Sequence, residues 1–302
     1  MQEQRVHGVS NAHGMHDARR VHATRRATVE RSPGTPQELT GESETQSLVS
    51  RRWYRHTHLL TAPLVVMVFL GLWQAVVWLA DYPTFILPSP GEVARTLGQT
   101  LGDGTLWRHA QVTLWEVFAG LGLGLITATL LGYVLGRSPL LERLLAPYIV
   151  ASQAVPVVAI APLLVIWFGS GRLSKVLICA LIVFFPILVN TVVGIRSVEQ
   201  DLRDLMRSLG ANRWQTFRML EVPASLPVLL GGLKIGVTMA VIGAVVGEFV
   251  GADQGLGFLV NQARGLFNTP LVFVAILALV VITLALYGVV MLLEVWLLRW
   301  RG

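Results

Sequence analysis

The most constraining feature of the sequence is a series of long apolar stretches, each with at most two charged residues. A helix rises about 1.5 Å per residue, so about 20 apolar residues are needed to cross the hydrocarbon core of a bilayer. Six stretches reach this length, at 59–80, 112–136, 144–168, 176–195, 228–250 and 271–298. Only 14% of all residues are charged, whereas soluble domains carry roughly a quarter. The sequence therefore predicts an all-α integral membrane protein with six transmembrane helices.

Arginines are concentrated in alternate loops, and this sets the predicted orientation of the spans. They precede the first span, lie between the second and third and between the fourth and fifth, and follow the sixth. Loops rich in Lys and Arg stay on the cytoplasmic side, so both termini are predicted to be cytoplasmic. The formal net charge of +6 follows from this topology, and we expect contact with membrane lipid and not with nucleic acid.

The first 58 residues differ from the rest and are predicted to form a disordered cytoplasmic tail before a membrane domain at 59–302. They hold few large apolar side chains and cannot bury enough surface to offset chain entropy. The tail contains His7, His13, His16 and His22. These could bind a metal, but a solvated tail is the simpler interpretation. The one cysteine, Cys179, lies within an apolar stretch, and we expect neither a metal site nor a cofactor.

The cytoplasmic loop at residues 198–227 has the pattern of two short helices joined by a turn. Apolar residues in its first half recur at three- and four-residue spacing, which is typical of one helix face. They are Leu202, Leu205, Met206 and Leu209. Gly210 follows directly and is suited to end the helix with a positive φ.

The second half of this loop carries its own start and stop signals. Asn212 and Gln215 are spaced as a capping box that begins a helix. Pro223 and Pro227 are expected to end that helix and redirect the chain into the fifth span. Its apolar face is formed by Trp214, Phe217 and Leu220.

Two interpretations of the 198–227 loop remain open on the pattern alone. An amphipathic helix can lie at the lipid headgroups with its arginines reaching anionic lipid, or it can enter a groove of a partner protein. The chain contains no GxxxxGK[ST] string, so it has no ATP-binding P-loop of its own. An energy-supplying partner is therefore plausible.

The loop resembles the EAA loop of the membrane subunits of bacterial ABC importers. Gly210 matches the family glycine and Val222-Pro223 falls near the end of the motif, but Asp204, Leu205 and Met206 replace the opening EAA. The string GANRWQTFRMLEVPASLP (210–227) is similar to the branch that carries sulfonates, taurine, nitrate and thiamine precursors. Further similar strings are AVPVVAIAPLLVIWFGSGRLSK (154–175), ILPSPGEV (86–93) and VIGAVVGEFVGADQGLG (241–257).

This resemblance implies a six-span permease with the type I importer fold, located in the bacterial inner membrane and working as a homodimer. Two copies of a separate ATPase subunit would dock on the cytoplasmic loops, so the chain itself would not be an enzyme. A periplasmic or lipid-anchored binding protein would deliver the solute. The residues expected to couple to the ATPase are Asp204, Leu205, Met206, Gly210, Ala211, Trp214, Phe217 and Pro223.

Polar residues inside the spans are candidates for the translocation path, because they are costly in hydrocarbon unless they face a cavity or another polar group. They are Gln153, Asn190, Glu116 and Glu248. Pro156 and Pro162 predict a kinked or broken third span near Gln153. Hydrogen bonding between helices is the alternative role for all four. The outer segment after Glu248 could contact the binding protein through polar side chains, or it could form a short solvated hairpin. These side chains are Asp253, Gln254, Asn261 and Gln262.

Two other functions are compatible with an apolar chain of this kind. An intramembrane hydrolase built on Ser170 and His109 lacks a second buried base. A stand-alone secondary transporter is the stronger rival, although the chain shows neither inverted repeats nor a proton relay of carboxylates. Among the members of this branch, the sequence of residues 205–237 is most similar to those of carriers of pyrimidine thiamine precursors or riboflavin. Import of an anion such as a sulfonate, taurine, nitrate or bicarbonate is the alternative.

Overall fold

A computed structural model describes residues 63–299, and this part of the chain consists of helices and short loops without a strand. The helices are α1 (Pro63–Ala80), α2 (Pro90–Gly102), α3 (Thr105–Arg137), α4 (Pro139–Gln153), α5 (Val157–Phe168), α6 (Arg172–Arg196), α7 (Gln200–Ser208), α8 (Arg213–Thr216), α9 (Val222–Gly251), α10 (Leu256–Gly265) and α11 (Thr269–Leu297). The all-α prediction is confirmed. The predicted tail at 1–58 and its histidines lie outside the described residues.

Five of the six predicted spans are single continuous helices in the described residues. They contain α1, α3, α6, α9 and α11, and all are long and apolar enough to cross a membrane. The third span is a bent pair, because α4 and α5 meet at 88°. Pro156 is the N-cap residue of α5, so the break predicted from the prolines is confirmed. Counting the bent pair as one span gives six.

The core is formed by α3, α6 and α9, with α6 packed against both of the others. Small residues recur every four positions along α3, at Gly120, Gly124, Ala128, Gly132 and Gly136. A Cβ added to Gly124 would lie 2.9 Å from the carbonyl oxygen of Ala180, and one added to Gly132 would lie 2.7 Å from the Thr191 Cβ. Such spacing lets two helix backbones approach closely in a bilayer.

A second apolar cluster packs α2, α10 and α11 together near the end of the molecule where α3 begins. It includes Val93, Leu106, Leu259 and Val274, all buried. Ser89 begins α2 with a capping box that it forms with Glu92. The predicted spans are therefore joined at this end by the short helices α2 and α10, of which α2 has a side-chain cap.

The helix that begins at Arg213 does not end at the two prolines, and the prediction that Pro223 and Pro227 stop it is wrong. A π-helical turn at Phe217–Glu221 joins α8 to α9, giving one helix over Arg213–Gly251. In this turn the N–H of Val222 donates to the Phe217 carbonyl five residues back. The wider turn shifts the hydrogen-bond register just before Pro223, so the helix continues although proline has no N–H.

Candidate functional site

The 198–227 loop contains a tightly bonded turn around Gly210. The φ of Gly210 is +73°, which confirms the predicted left-handed conformation. Its N–H donates to the Arg207 carbonyl at 2.9 Å, and the N–H of Ala211 donates to the Met206 carbonyl at 3.0 Å. This pair of bonds is the Schellman arrangement that satisfies the last carbonyls of a helix. The end of α7 therefore has a defined geometry.

The next helix starts immediately and runs into the membrane. The Oδ1 of Asn212 accepts a hydrogen bond from the Gln215 N–H at 2.8 Å, and the Asn212 N–H donates to Gln215 Oε1 at 2.8 Å. The predicted capping box is therefore confirmed. Because α8 continues through the π-helical turn into α9, one uninterrupted helix joins the turn at Gly210 to a membrane span.

Large apolar side chains are exposed on both helices of the loop. Leu209 is 73% exposed and Trp214 is 64% exposed; Leu205 and Met219 are exposed as well. Neighbouring exposed apolar side chains are typical of surfaces that bind a partner or lipid. Asp204 is exposed and accepts a hydrogen bond from Arg207 at 2.9 Å.

Phe217 anchors the loop to the membrane helices. Its ring lies 5.5 Å from that of Trp214 and 5.1 Å from that of Tyr133 on α3, in an edge-on arrangement with Tyr133. Aromatic pairs of this geometry contribute about 0.5–1.5 kcal/mol beyond the burial of area. Of the predicted coupling residues, Phe217 is the one that connects the exposed surface to the span.

Glu221 is an important residue that the sequence analysis did not identify. Its side chain is 1% exposed, and its Oε1 accepts from Arg137 Nη2 at 2.8 Å. Tyr133 donates to Oε2 at 3.2 Å, and Arg203 of α7 lies 3.6 Å from Oε1. The signal available in the sequence was a single acid between an arginine-rich loop and an apolar stretch. This carboxylate links α7, α9 and α3.

A second polar cluster lies at the opposite end of the core. Glu248, 1% exposed, accepts a hydrogen bond from the Thr113 hydroxyl at 2.6 Å and one from the Gly257 N–H. The His109 Nδ1 lies 3.0 Å from both the nitrogen and the oxygen of Gly255. These contacts hold the loop between α9 and α10 against α3. Glu248 is therefore enclosed by packed groups in this chain.

Of the other predicted path residues, Gln153 and Asn190 lie apart from both clusters, whereas Glu116 lies beside Glu248 in the second cluster. Gln153 ends α4 and is exposed at the bend before α5. Asn190 is half-buried in α6, and its amide donates to the Pro186 carbonyl at 2.8 Å. Glu116 is buried with Lys175 at 3.7 Å. Asp253, Gln254, Asn261 and Gln262 are all exposed. In residues 63–299 no three His, Cys, Asp or Glu side chains gather as metal ligands.

This architecture defines a helical membrane domain, in which the spans pack around a small-residue core and one span continues as a single helix into an exposed loop. The fold is that of a type I ABC importer transmembrane domain. It is similar to the membrane subunit in inward-facing MetNI methionine ABC transporter crystals, with a TM-score of 0.57 and 19% identity, covering 64% of this chain and 96% of that one.

The chain belongs to the family of binding-protein-dependent transport system inner membrane components, whose model matches residues 120–300. It is therefore an ABC importer permease of the inner membrane and not a catalytic subunit. The riboflavin transport system permease protein RibX of Chloroflexus aurantiacus is 53% identical over 243 residues, which is 80% of this chain and 91% of that protein.

The names of two further relatives refer to other solutes. The formylaminopyrimidine transport permease protein ThiX of Halalkalibacterium halodurans is 36% identical, covering 80% of this chain and 96% of the relative. The taurine transport system permease protein TauC of Escherichia coli is 31% identical, covering 83% and 93%. The resemblance to the sulfonate and thiamine-precursor branch is confirmed. Membership of this family implies an ATPase and a solute-binding protein as partners.

Proposed function

We propose that this permease forms the translocation path for riboflavin or a pyrimidine thiamine precursor. Support comes from the relatives, because identity is 53% to the riboflavin permease and 36% to the formylaminopyrimidine permease. Sequence identity is lower, at 32% and 31%, to a sulfonate permease and to the taurine permease. Both favoured solutes contain a flat heteroaromatic ring. A sulfonate, taurine, nitrate or bicarbonate anion is the alternative solute.

The 198–227 loop is the proposed docking site for the ATPase. Its continuous helix from Arg213 to Gly251 supports this proposal most directly, because movement of the docked surface would move a span as a lever. Asp204, Leu205, Met206, Gly210, Ala211, Trp214, Phe217 and Pro223 are the proposed coupling residues. ATP would be hydrolysed on the separate subunit, of which two copies would bind a homodimer of this permease.

The loop would then lie in the cytoplasm together with both termini, which agrees with the arginines at this end of the spans. The binding protein would contact the opposite end, where the exposed polar side chains Asp253 and Gln254 follow α9. Gln153 and Asn190 would line the path between the two copies. Glu248 would join that path only when the loop that it holds moves away from α3.

Reconstitution tests this function. The permease would be co-expressed with the ATPase and the binding protein of its source organism, purified and placed in liposomes. We expect the ATPase to co-purify, and riboflavin or pyrimidine uptake to require both ATP and the binding protein. Uptake of taurine in preference would select the alternative solute. Solute movement by the permease alone, without a bound ATPase, would contradict the coupling role of the loop.

A further inference from the structure

A large cationic cavity lies where the 198–227 loop meets the ends of α3, α4 and α6. Its volume is about 1050 Å³. Arginines from each of these elements line it, and they are Arg137, Arg143, Arg196, Arg203, Arg207 and Arg213. The acidic residues in its lining are Glu142 and Glu221. The lining therefore carries an excess of four positive charges.

The acids of the cavity are already engaged by arginines. Glu221 is paired with Arg137 at 2.8 Å and lies 3.6 Å from Arg203, and Glu142 contacts Arg196. Within residues 63–299, Arg143 and Arg213 form no salt bridge with an acidic side chain. Cations gathered in a cleft with low-dielectric walls focus a positive potential that attracts an anion. Arg207 is paired with Asp204, which lies outside the lining, so Arg143 and Arg213 are the lining arginines that remain available to an anion.

Guanidinium groups favour phosphate, because their planar donors match its oxygens in pairs. The surroundings of Arg143 indicate where that phosphate comes from. Along α4, Leu144 is 57% exposed and Tyr148 is 71% exposed, and Leu140 is exposed beside them. An apolar helix face next to a basic pocket at the end of the spans suits a molecule with an anionic head and hydrocarbon chains.

We propose that this cavity binds the phosphate headgroup of an anionic phospholipid, whose acyl chains lie along α4. The headgroup would join Arg143 of α4 to Arg213 of the loop, so binding would favour one position of the loop over others. A ligand shifts such an equilibrium through its different affinity for the two positions. Anionic lipid would therefore raise the coupling between the ATPase and the spans. This consequence rests on the proposed docking of the ATPase at the loop.

The test compares the double variant Arg143→Gln/Arg213→Gln with the control Arg95→Gln/Arg264→Gln, which removes the same charge from exposed sites away from the cavity. Native mass spectrometry of the purified complex measures retained phosphatidylglycerol or cardiolipin. We expect roughly a tenfold fall in affinity for anionic lipid in the cavity variant, as for the loss of one or two charge-assisted hydrogen bonds. The control should retain lipid as the unaltered protein does.

Nanodiscs then separate the two sources of phosphate. Addition of phosphatidylglycerol to phosphatidylcholine discs should stimulate the ATPase activity of the complex. In the cavity variant, the ratio of the activities with and without phosphatidylglycerol should fall to about one. Equal lipid retention by both variants would overturn the proposal. Stimulation by inorganic pyrophosphate in discs without anionic lipid would also overturn it, in favour of a soluble ligand. If no ATPase binds the permease, the coupling proposal fails while lipid retention by the permease is still measured.

Discussion

Replacement of Gly210 by valine should disconnect the ATPase from the spans. The φ of Gly210 is +73°, and a Cβ added there would meet no atom within 4 Å. A side chain at this position therefore has enough room, and its free-energy cost comes from the backbone conformation. An L-residue pays roughly 1–2 kcal/mol in the left-handed region, and a β-branched side chain is disfavoured further. A penalty of this size shifts the loop equilibrium by a factor of about 5–30.

The expected result is a fall of about 5–30-fold in ATP-driven uptake, measured in liposomes at equal permease content. Membrane insertion should persist, since the altered position is exposed and outside the core. Gly210→Asn should retain most of the uptake, because asparagine tolerates positive φ. This variant separates loss of the turn from loss of glycine itself.

Gly104 provides a matched control elsewhere in the fold. Its φ is also +73°, and an added Cβ there likewise meets no atom within 4 Å, but it lies between α2 and α3. Gly104→Val should pay a similar backbone cost without affecting uptake. If Gly210→Val transports normally with the ATPase bound, the coupling role of the turn is refuted. An equal loss in both valine variants would assign the effect to general destabilisation.

Three further predictions concern the packing and polar contacts, each read from thermal unfolding in detergent. Glu221→Gln should cost about 1–2 kcal/mol, because the charge-assisted bonds from the partly exposed Arg137 are weakened; unchanged unfolding would contradict its linking role. Gly132→Ala should cost about 1–3 kcal/mol through overpacking against α6. Gly122→Ala on the same helix, with open space around it, should stabilise by up to about 1 kcal/mol, because alanine has the better helix propensity. Equal effects of the two changes would refute the close approach of α3 and α6. Glu248→Ala should cost about 1–3 kcal/mol by leaving buried donors unpaired and should speed hydrogen exchange at 252–257, and unaltered exchange would count against its role in holding that loop.

Much of the architecture follows from local chemistry and could be predicted. Apolar stretches of span length identify the membrane helices, because in hydrocarbon the backbone must form its hydrogen bonds internally and a helix does so within one segment. The turn at Gly210 and the capping box at Asn212 were also predictable, since each depends on residues within a few positions. The break beside Pro156 belongs to the same class of local signals.

What could not be predicted depends on partners distant in the chain. Glu221 meets Tyr133 from 88 positions away and Glu248 meets Thr113 from 135 positions away, and no local pattern indicates either pairing. The prediction that the helix stops at Pro223 was wrong, because a π-helical turn shifts the hydrogen-bond register just before the proline and the helix continues without its N–H. That rearrangement is stabilised by packing against α3, which proline statistics do not describe.

Protection of one engineered cysteine by the ATPase tests the central claim most directly. Cys179 is the only cysteine in the chain and is buried, so Cys179→Ala provides a background for single-cysteine labelling. Leu209→Cys places a thiol on the 198–227 loop at a side chain that is 73% exposed, and Leu266→Cys places one at a side chain that is 70% exposed after α10. Assembly with the ATPase should block maleimide labelling at position 209 and leave labelling at position 266 unchanged. Full labelling at position 209 in a complex that contains the ATPase would contradict docking at this loop.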